Sequence, residues 1–225
     1  ERLGQALRVR TGAEVPEALA PGRHPVVDDG PASKVLPPER AIGCVVYPAT
    51  VIESPGVIRH IEGTRFSIGE PDGSVSQRCT DLSEAMVAGG LKCPVEQNLR
   101  DDIWIKLMGN AAFNPISALT RATMVDMCRH PLTRSMVARV MEEILDIAAR
   151  VGSTPEISIE KRLRGAEGVG AHKTSMLQDL EAGKQLELDA IVTAVVEMAD
   201  ITGAEAPTLR AIHAATDLLA RTVQP

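Results

Sequence analysis

The fold is decided by residues 101–119, which read DDIWIKLMGNAAFNPISAL. Apolar side chains recur there at helical spacing, at Ile103, Leu107, Ala111 and Ile116. This pattern predicts a long helix from Asp101 to Leu119. Pro115 lacks a backbone donor and crowds the preceding turn, so it should kink this helix or end its first part.

The same periodicity extends outward from this stretch over most of the chain that follows residue 75. We predict further helices over residues 76–88, 132–151, 155–164, 175–182, 187–202 and 207–221. Gly152 suits the C-cap of the helix over 132–151. Aromatic residues make up only 2% of the sequence, so the core must be built from aliphatic side chains and Met, which suits packed helices. Residues 75–225 are therefore predicted to form a mostly α-helical domain.

Residues 1–74 have a different pattern. Six prolines interrupt residues 1–40, which predicts irregular structure. Short β-branched runs over 41–47, 56–61 and 65–68 predict the strands of one small sheet, and residues 71–74 (PDGS) predict a turn. The chain is therefore divided into a β-containing entry, with its short strands in 41–68, and a helical body.

Composition excludes several classes of function. The formal net charge is −6, which argues against nucleic acid as a partner because phosphate binding needs clustered cations. No apolar run approaches the roughly 20 residues that span a bilayer, so no membrane partner is expected. The four cysteines form no C-x-x-C pair, which indicates reduced thiols in a cytoplasmic protein. The five histidines show no metal-ligand spacing, so no metal is expected.

Polar side chains share one face of the helix predicted over 101–119. Lys106, Asn110 and Asn114 follow at four-residue intervals and lie within an arc of roughly 80°. Carboxamides can donate and accept hydrogen bonds, and a lysine can protonate an oxygen that becomes negative, so the trio suits a hydroxy acid or keto acid. The alternative is a solvated polar face with no ligand.

A second polar cluster spans residues 172–179, which read HKTSMLQD. Thr174 or Ser175 could cap the next helix, and a helix start is also a natural place for an anionic substrate. Glu187 opens the helix after that, where an acidic residue needs no reason beyond the helix dipole. Both the structural and the functional interpretation stay open at this point.

Three segments, in this order, resemble the ketopantoate reductase family. They are residues 41–49 (AIGCVVYPA), 106–115 (KLMGNAAFNP) and 175–179 (SMLQD), the last followed by Glu187. The resemblance covers about residue 25 to the C terminus. It implies that residues 75–225 are the helical C-terminal domain of a 6-phosphogluconate-dehydrogenase-like reductase. It also implies that residues 1–74 are the remnant of an α/β Rossmann domain that binds NADP.

The resemblance further implies NADPH-dependent reduction of 2-dehydropantoate to pantoate, a step toward pantothenate and coenzyme A. It makes Lys106 the general acid, assigns substrate binding to Asn110, Asn114 and Ser175, and assigns cofactor contacts to Ala49 and Glu187. NADP(H) supplies the hydride, a chemistry that no side chain offers. The protein would hold the ketone close to the cofactor and protonate the forming alkoxide.

Three features depart from the family pattern. The family begins with a strand, a G-x-G-x-x-G turn and a helix that hold the pyrophosphate, and residues 1–40 contain no such motif. The Asn-Gly loop expected before the Gly43 strand is also absent. In addition, a substrate-binding Asn of the family falls near Met124, whose thioether cannot replace the hydrogen bonds of an amide.

These observations leave three hypotheses for function. The first is a ketopantoate reductase of which this chain is a truncated form, acting on a small 2-keto acid. The second is a non-catalytic helical domain that serves folding or dimerisation, so a homodimer is a candidate assembly. The third is a related reductase of another 2-keto or 3-hydroxy acid.

Overall fold

The computed structural model describes residues 40–223, and the predicted irregular segment 1–40 therefore lies almost entirely outside the described residues. The strands are β1 (Gly43–Val46), β2 (Ala49–Ser54), β3 (Val57–Glu62) and β4 (Phe66–Gly69). The helices are α1 (Gln77–Ala88), α2 (Leu99–Thr120), α3 (Met124–Arg129), α4 (Pro131–Arg150), α5 (Ile159–Gly168), α6 (Ser175–Glu181), α7 (Ala194–Thr202) and α8 (Pro207–Val223). A π-helical segment, Asp189–Thr193, runs directly into α7. The prediction of a mostly α-helical fold is confirmed; the domain boundary near residue 75 stays a prediction.

Helix α2 lies at the centre of the helical body, where it contacts α3, α4, α6 and α8. The core around it is mostly aliphatic and also contains Trp104; its buried members include Met108, Ile116, Met141, Ile144, Val195 and Leu209. The prediction that Pro115 could end the helix is wrong, because α2 continues to Thr120. Residues 111–118 are all buried, so packing on every side offsets the backbone hydrogen bond that the proline removes.

The strands form two separate antiparallel pairs and not the single sheet that was predicted. Strand β1 pairs with β4, and Val45 and Ile68 of this pair are buried. Strand β2 pairs with β3 in a hairpin whose residues are all exposed. Strand β2 was not predicted because its sequence, ATVIES, does not alternate between apolar and polar residues, and neither of its faces is buried. Within residues 40–223, no strand follows Gly69.

Several helix ends differ from the sequence prediction. Helix α3 was not predicted, because it is a single short helix that depends on a capping box between Thr123 and Asp126. The helix predicted over 155–164 lies at Ile159–Gly168, since Ser158 and not a residue near Pro155 caps it. Helix α4 has Val151 as its C-cap, and Gly152 follows at a φ of 83°, a conformation that favours glycine. Among the helices within residues 40–223, none combines the length and apolar character that crossing a bilayer requires.

A buried carboxylate joins α4 to α8. Glu143 is 9% exposed, and its two carboxylate oxygens accept hydrogen bonds from the backbone N–H groups of Thr208 and Leu209, at 3.0 and 2.8 Å. These N–H groups belong to the first turn of α8 and have no partner inside that helix. Replacing Glu143 with Ala should lower the free energy of unfolding by about 2–3 kcal/mol, because both donors lose a charged acceptor.

Urea unfolding measures this effect. The matched control is Glu142→Ala, which removes an exposed carboxylate one position earlier in α4 and should change the free energy of unfolding by about 0.5 kcal/mol or less. Equal midpoints for the two variants would show that the Glu143 hydrogen bonds contribute nothing to stability.

Candidate active site

Helix α2 carries the predicted polar face, and its three members differ in burial. Lys106 and Asn110 are half-buried, whereas Asn114 is only 5% exposed. Eight residues of α-helix separate Lys106 from Asn114, a rise of about 12 Å along the axis. A buried carboxamide does not belong to a solvated face, so the alternative of a plain polar surface fails for Asn114.

The lysine end of this face meets the strand entry. The Lys106 ammonium donates a hydrogen bond to the carbonyl oxygen of Val46, and its Nζ lies 5.5 Å from the centre of the Tyr47 ring. Burial lowers the pKa of Lys106 below its ordinary value, and the nearby Cys44 opposes this shift. A lysine with a lowered pKa transfers its proton more readily at neutral pH, which suits a general acid.

The other end of the face meets helix α6. The Asn114 Nδ2 group lies 3.5 Å from Ser175 Oγ, although the two residues are 61 positions apart in the sequence. Thr174 is the N-cap of α6, because its hydroxyl accepts from the backbone N–H of Leu177. Ser175 is therefore not the cap, and its exposed hydroxyl remains available to a ligand beside Asn114.

Of the remaining predicted site residues, one lies between these two ends and the others lie at the surface. Asn110 lies between the two ends on α2. Ala49 begins the exposed strand β2, and Glu187 is exposed just before the π-helical segment. Met124 is the first residue of α3 and donates its backbone N–H to the carbonyl oxygen of His172 at 2.9 Å, so it adjoins the second polar cluster. The expected distance of roughly 8 Å or less between Lys106 Nζ and Ser175 Oγ stays a prediction.

Sequence reasoning missed a further cation, Arg162 of α5. A Cβ built on Gly109 would lie 2.4 Å from Arg162 Nη2, so the guanidinium rests against α2 one turn after Lys106. The only sequence signal is a glycine inside a helix, which is unfavourable unless another group needs the space. Residues 40–223 contain no cluster of three or more His, Cys, Asp or Glu side chains that could hold a metal ion.

Comparison with known proteins places this chain in a family. The family described as "Ketopantoate reductase PanE/ApbA C terminal" matches residues 98–220. A 2-dehydropantoate 2-reductase of Mesorhizobium japonicum is 47% identical over 183 residues, which are 81% of this chain and 56% of that protein. An Archaeoglobus fulgidus 2-dehydropantoate 2-reductase is 31% identical over 72% of this chain and 54% of its own length. The chain thus spans little more than half the length of these curated relatives.

Solved structures show the same architecture. A provisionally named ketopantoate reductase from Ralstonia solanacearum MolK2 superposes with a TM-score of 0.83 and 35% identity, covering 90% of this chain and 62% of its own. D-mandelate dehydrogenase in complex with NADH superposes with a TM-score of 0.77, covering 85% of this chain and 66% of its own. At 17% identity the second comparison supports the fold alone.

Proposed function

The chain belongs to the ketopantoate reductase PanE/ApbA family through its C-terminal part, and on this premise we propose that it is the substrate-binding side of an NADP-dependent 2-dehydropantoate 2-reductase. The observation that carries the proposal is the contact between Asn114 and Ser175 on the helix that also holds Lys106. Two of the segments that resemble the family, far apart in sequence, supply this contact.

The proposed roles follow from the position of each group. Lys106 would protonate the keto oxygen as it becomes an alkoxide, and its lowered pKa supports this role. Asn110 would hold the substrate beside Lys106, and the Asn114 amide and the Ser175 hydroxyl would bind polar atoms at its far end. Because Asn114 is buried, it would hold one orientation, which limits the poses that the substrate can take.

The nicotinamide cofactor would supply the hydride when bound. The described residues fit its reacting end: Ala49 is exposed close to the Tyr47 segment that Lys106 contacts, and the exposed Glu187 follows α6 in the chain. They do not fit its phosphates, because residues 40–223 contain no glycine-rich turn between a strand and a helix. NADPH rather than NADH, a cytoplasmic location and a homodimer remain parts of the proposal; the four cysteines, all free, support a reducing compartment.

A reductase of another 2-keto acid is the second candidate. Met124 supports it, because this partly buried residue, bonded through its backbone to His172, lies near the position where the resemblance places a substrate-binding Asn of the family. A thioether there would favour a substrate that is less polar on that side than 2-dehydropantoate.

A chimaeric reductase tests the proposal. We would fuse this chain behind the part of the Mesorhizobium japonicum enzyme that it does not match, and then follow NADPH oxidation with a panel of 2-keto acids. We expect kcat/KM to be highest for 2-dehydropantoate, with the Lys106→Ala chimaera as the inactive control. A higher kcat/KM for another 2-keto acid would favour the second candidate. A chimaera that binds NADPH yet reduces no 2-keto acid would favour a non-catalytic helical domain.

A further inference from the structure

Arg162 lies against the same helix as the proposed general acid. Its guanidinium fills the space above Gly109, where a built Cβ would be 2.4 Å from Nη2 and 3.2 Å from both Cζ and Nε. Gly109 follows Lys106 by three residues, which is a rise of about 4.5 Å and a rotation of about 60° around the helix. The guanidinium therefore adjoins the polar face on the side opposite Asn110.

The Arg162 side chain has no partner in the part of the chain that the structure describes. Its Nε is buried and makes no hydrogen bond, and none of the ion pairs within residues 40–223 includes this guanidinium. In contrast, Arg164, two positions later on α5, lies 3.8 Å from Glu160. Because the described residues supply no acceptor, the donors of Arg162 that are not buried remain available to an anion.

Arg162 lies within electrostatic reach of the ring that Lys106 contacts. Burial and the charge of Asp102 raise the pKa of the Tyr47 phenol, while the charges of Arg65 and Arg162 lower it. The Lys106 Nζ lies 5.5 Å from the centre of the same ring. A cleft of about 300 Å³ beside Arg162 is lined by no residue of α2, so this cleft does not include the polar face that carries Lys106.

The structure of a 2-keto acid explains why a cation would be needed close to Lys106. Its carboxylate is bonded directly to the keto carbon, so the cation that holds the carboxylate must lie close to the group that protonates the keto oxygen. Arg162 packs against Gly109, about one helical turn after Lys106, and a guanidinium can bind a carboxylate through two parallel hydrogen bonds. We infer that Arg162 is a carboxylate-binding residue of this site, donating through its terminal Nη groups to the acid group of the substrate.

This inference rests on the proposed function, because it takes the ligand to be a 2-keto acid. It adds a residue that the sequence comparison did not single out. It also gives Gly109 a role: any side chain at that position would push the guanidinium away from the face that carries Lys106.

The test measures binding of oxalate and of 2-dehydropantoate to the full 225-residue chain by calorimetry, for the wild type and three variants. Arg162→Gln should weaken both affinities about 10- to 100-fold, since it removes two charge-assisted hydrogen bonds. Arg164→Gln is the matched control and should bind as the wild type does. Gly109→Ala should weaken binding at least severalfold, because its Cβ must displace the guanidinium by about 1 Å. It should not lower the melting temperature, because Ala favours helix over Gly.

The outcomes separate this inference from the proposed function. Equal affinity of the wild type and Arg162→Gln for both ligands overturns the assignment of Arg162 and leaves the proposed function standing. Arg162-dependent binding of oxalate without binding of 2-dehydropantoate supports the anion site and counts against the proposed substrate. Failure of the wild type to bind either anion overturns the inference, and the chimaeric reductase then decides the proposed function independently. Arg162-dependent binding of both ligands supports the two together.

Discussion

Replacing Lys106 with Ala should lower kcat of the chimaeric reductase by about 100- to 10,000-fold, the range that a general acid typically contributes. The same change should leave the fold intact, because Lys106 makes one hydrogen bond to the Val46 carbonyl and one contact with the Tyr47 ring. The matched control is Lys92→Ala, which removes an exposed lysine outside the site and should leave kcat unchanged.

The pH dependence of stability follows from the direction in which the pKa of Lys106 is shifted. Burial lowers the pKa of Lys106 in the folded protein below 10.5, its ordinary value. Between the lowered pKa and 10.5 the unfolded chain binds more protons than the folded one, so stability rises with pH in that window. At neutral pH the charged lysine costs the folded state free energy, and Lys106→Ala removes this cost together with the contacts. We therefore expect little change in melting temperature.

The activity of the chimaera should also depend on the protonation of Lys106, but activity should fall with rising pH where stability increases. The wild-type chimaera should lose kcat as pH rises through the lowered pKa of Lys106, because the proton donor is lost. The residual activity of Lys106→Ala should lack this alkaline decrease. Wild-type turnover in the Ala variant, or an unchanged alkaline decrease, would place the general acid elsewhere and return Lys106 to the alternative of a solvated face.

The helical body could be predicted from the sequence because each helix repeats the same apolar spacing over three or more turns. Residues 132–151, for example, were predicted to within one residue of α4. Strand β2 of the exposed hairpin escaped this reasoning, although its partner β3 was predicted over 56–61. Neither face of β2 is buried, so its apolar residues, such as Ile52, follow no alternation that would mark an inner side.

The candidate site was predictable only where one helix holds several of its residues. Periodicity placed Lys106 and Asn114 on one face of α2, but it could not bring Ser175 to Asn114, since that contact depends on how α6 packs against α2. The position of Arg162 was even less predictable from the sequence. Nothing in the sequence of α5 distinguishes it from Arg164, and only its packing against Gly109 does so.

The 225-residue chain by itself should bind NADPH weakly, with a dissociation constant of about 1 mM or more, against the micromolar values common for nucleotide sites. Its sequence contains no G-x-G-x-x-G motif, so it lacks the backbone donors and the helix N terminus that offset the charge of a pyrophosphate. The net charge of −6 adds repulsion toward a ligand with several phosphate charges. Titration of NADPH followed by its fluorescence, with the chimaeric reductase as the positive control, measures the difference.

The affinity for NADPH depends on contacts with the reacting end of the cofactor and on contacts with its phosphates. Ala49 and Glu187 would touch only the reacting end of the cofactor, and neither carries a positive charge. Three cations lie near the Tyr47 segment: Arg65 is paired with Glu96, and Lys106 and Arg162 are in our proposal engaged by the substrate. If 2-dehydropantoate binds the chain and NADPH does not, the two binding functions are separable along the sequence. Micromolar binding of NADPH to this chain would instead mean that residues other than a glycine-rich turn hold its phosphates. A phosphate of the cofactor would then compete with the substrate carboxylate for the Arg162 guanidinium.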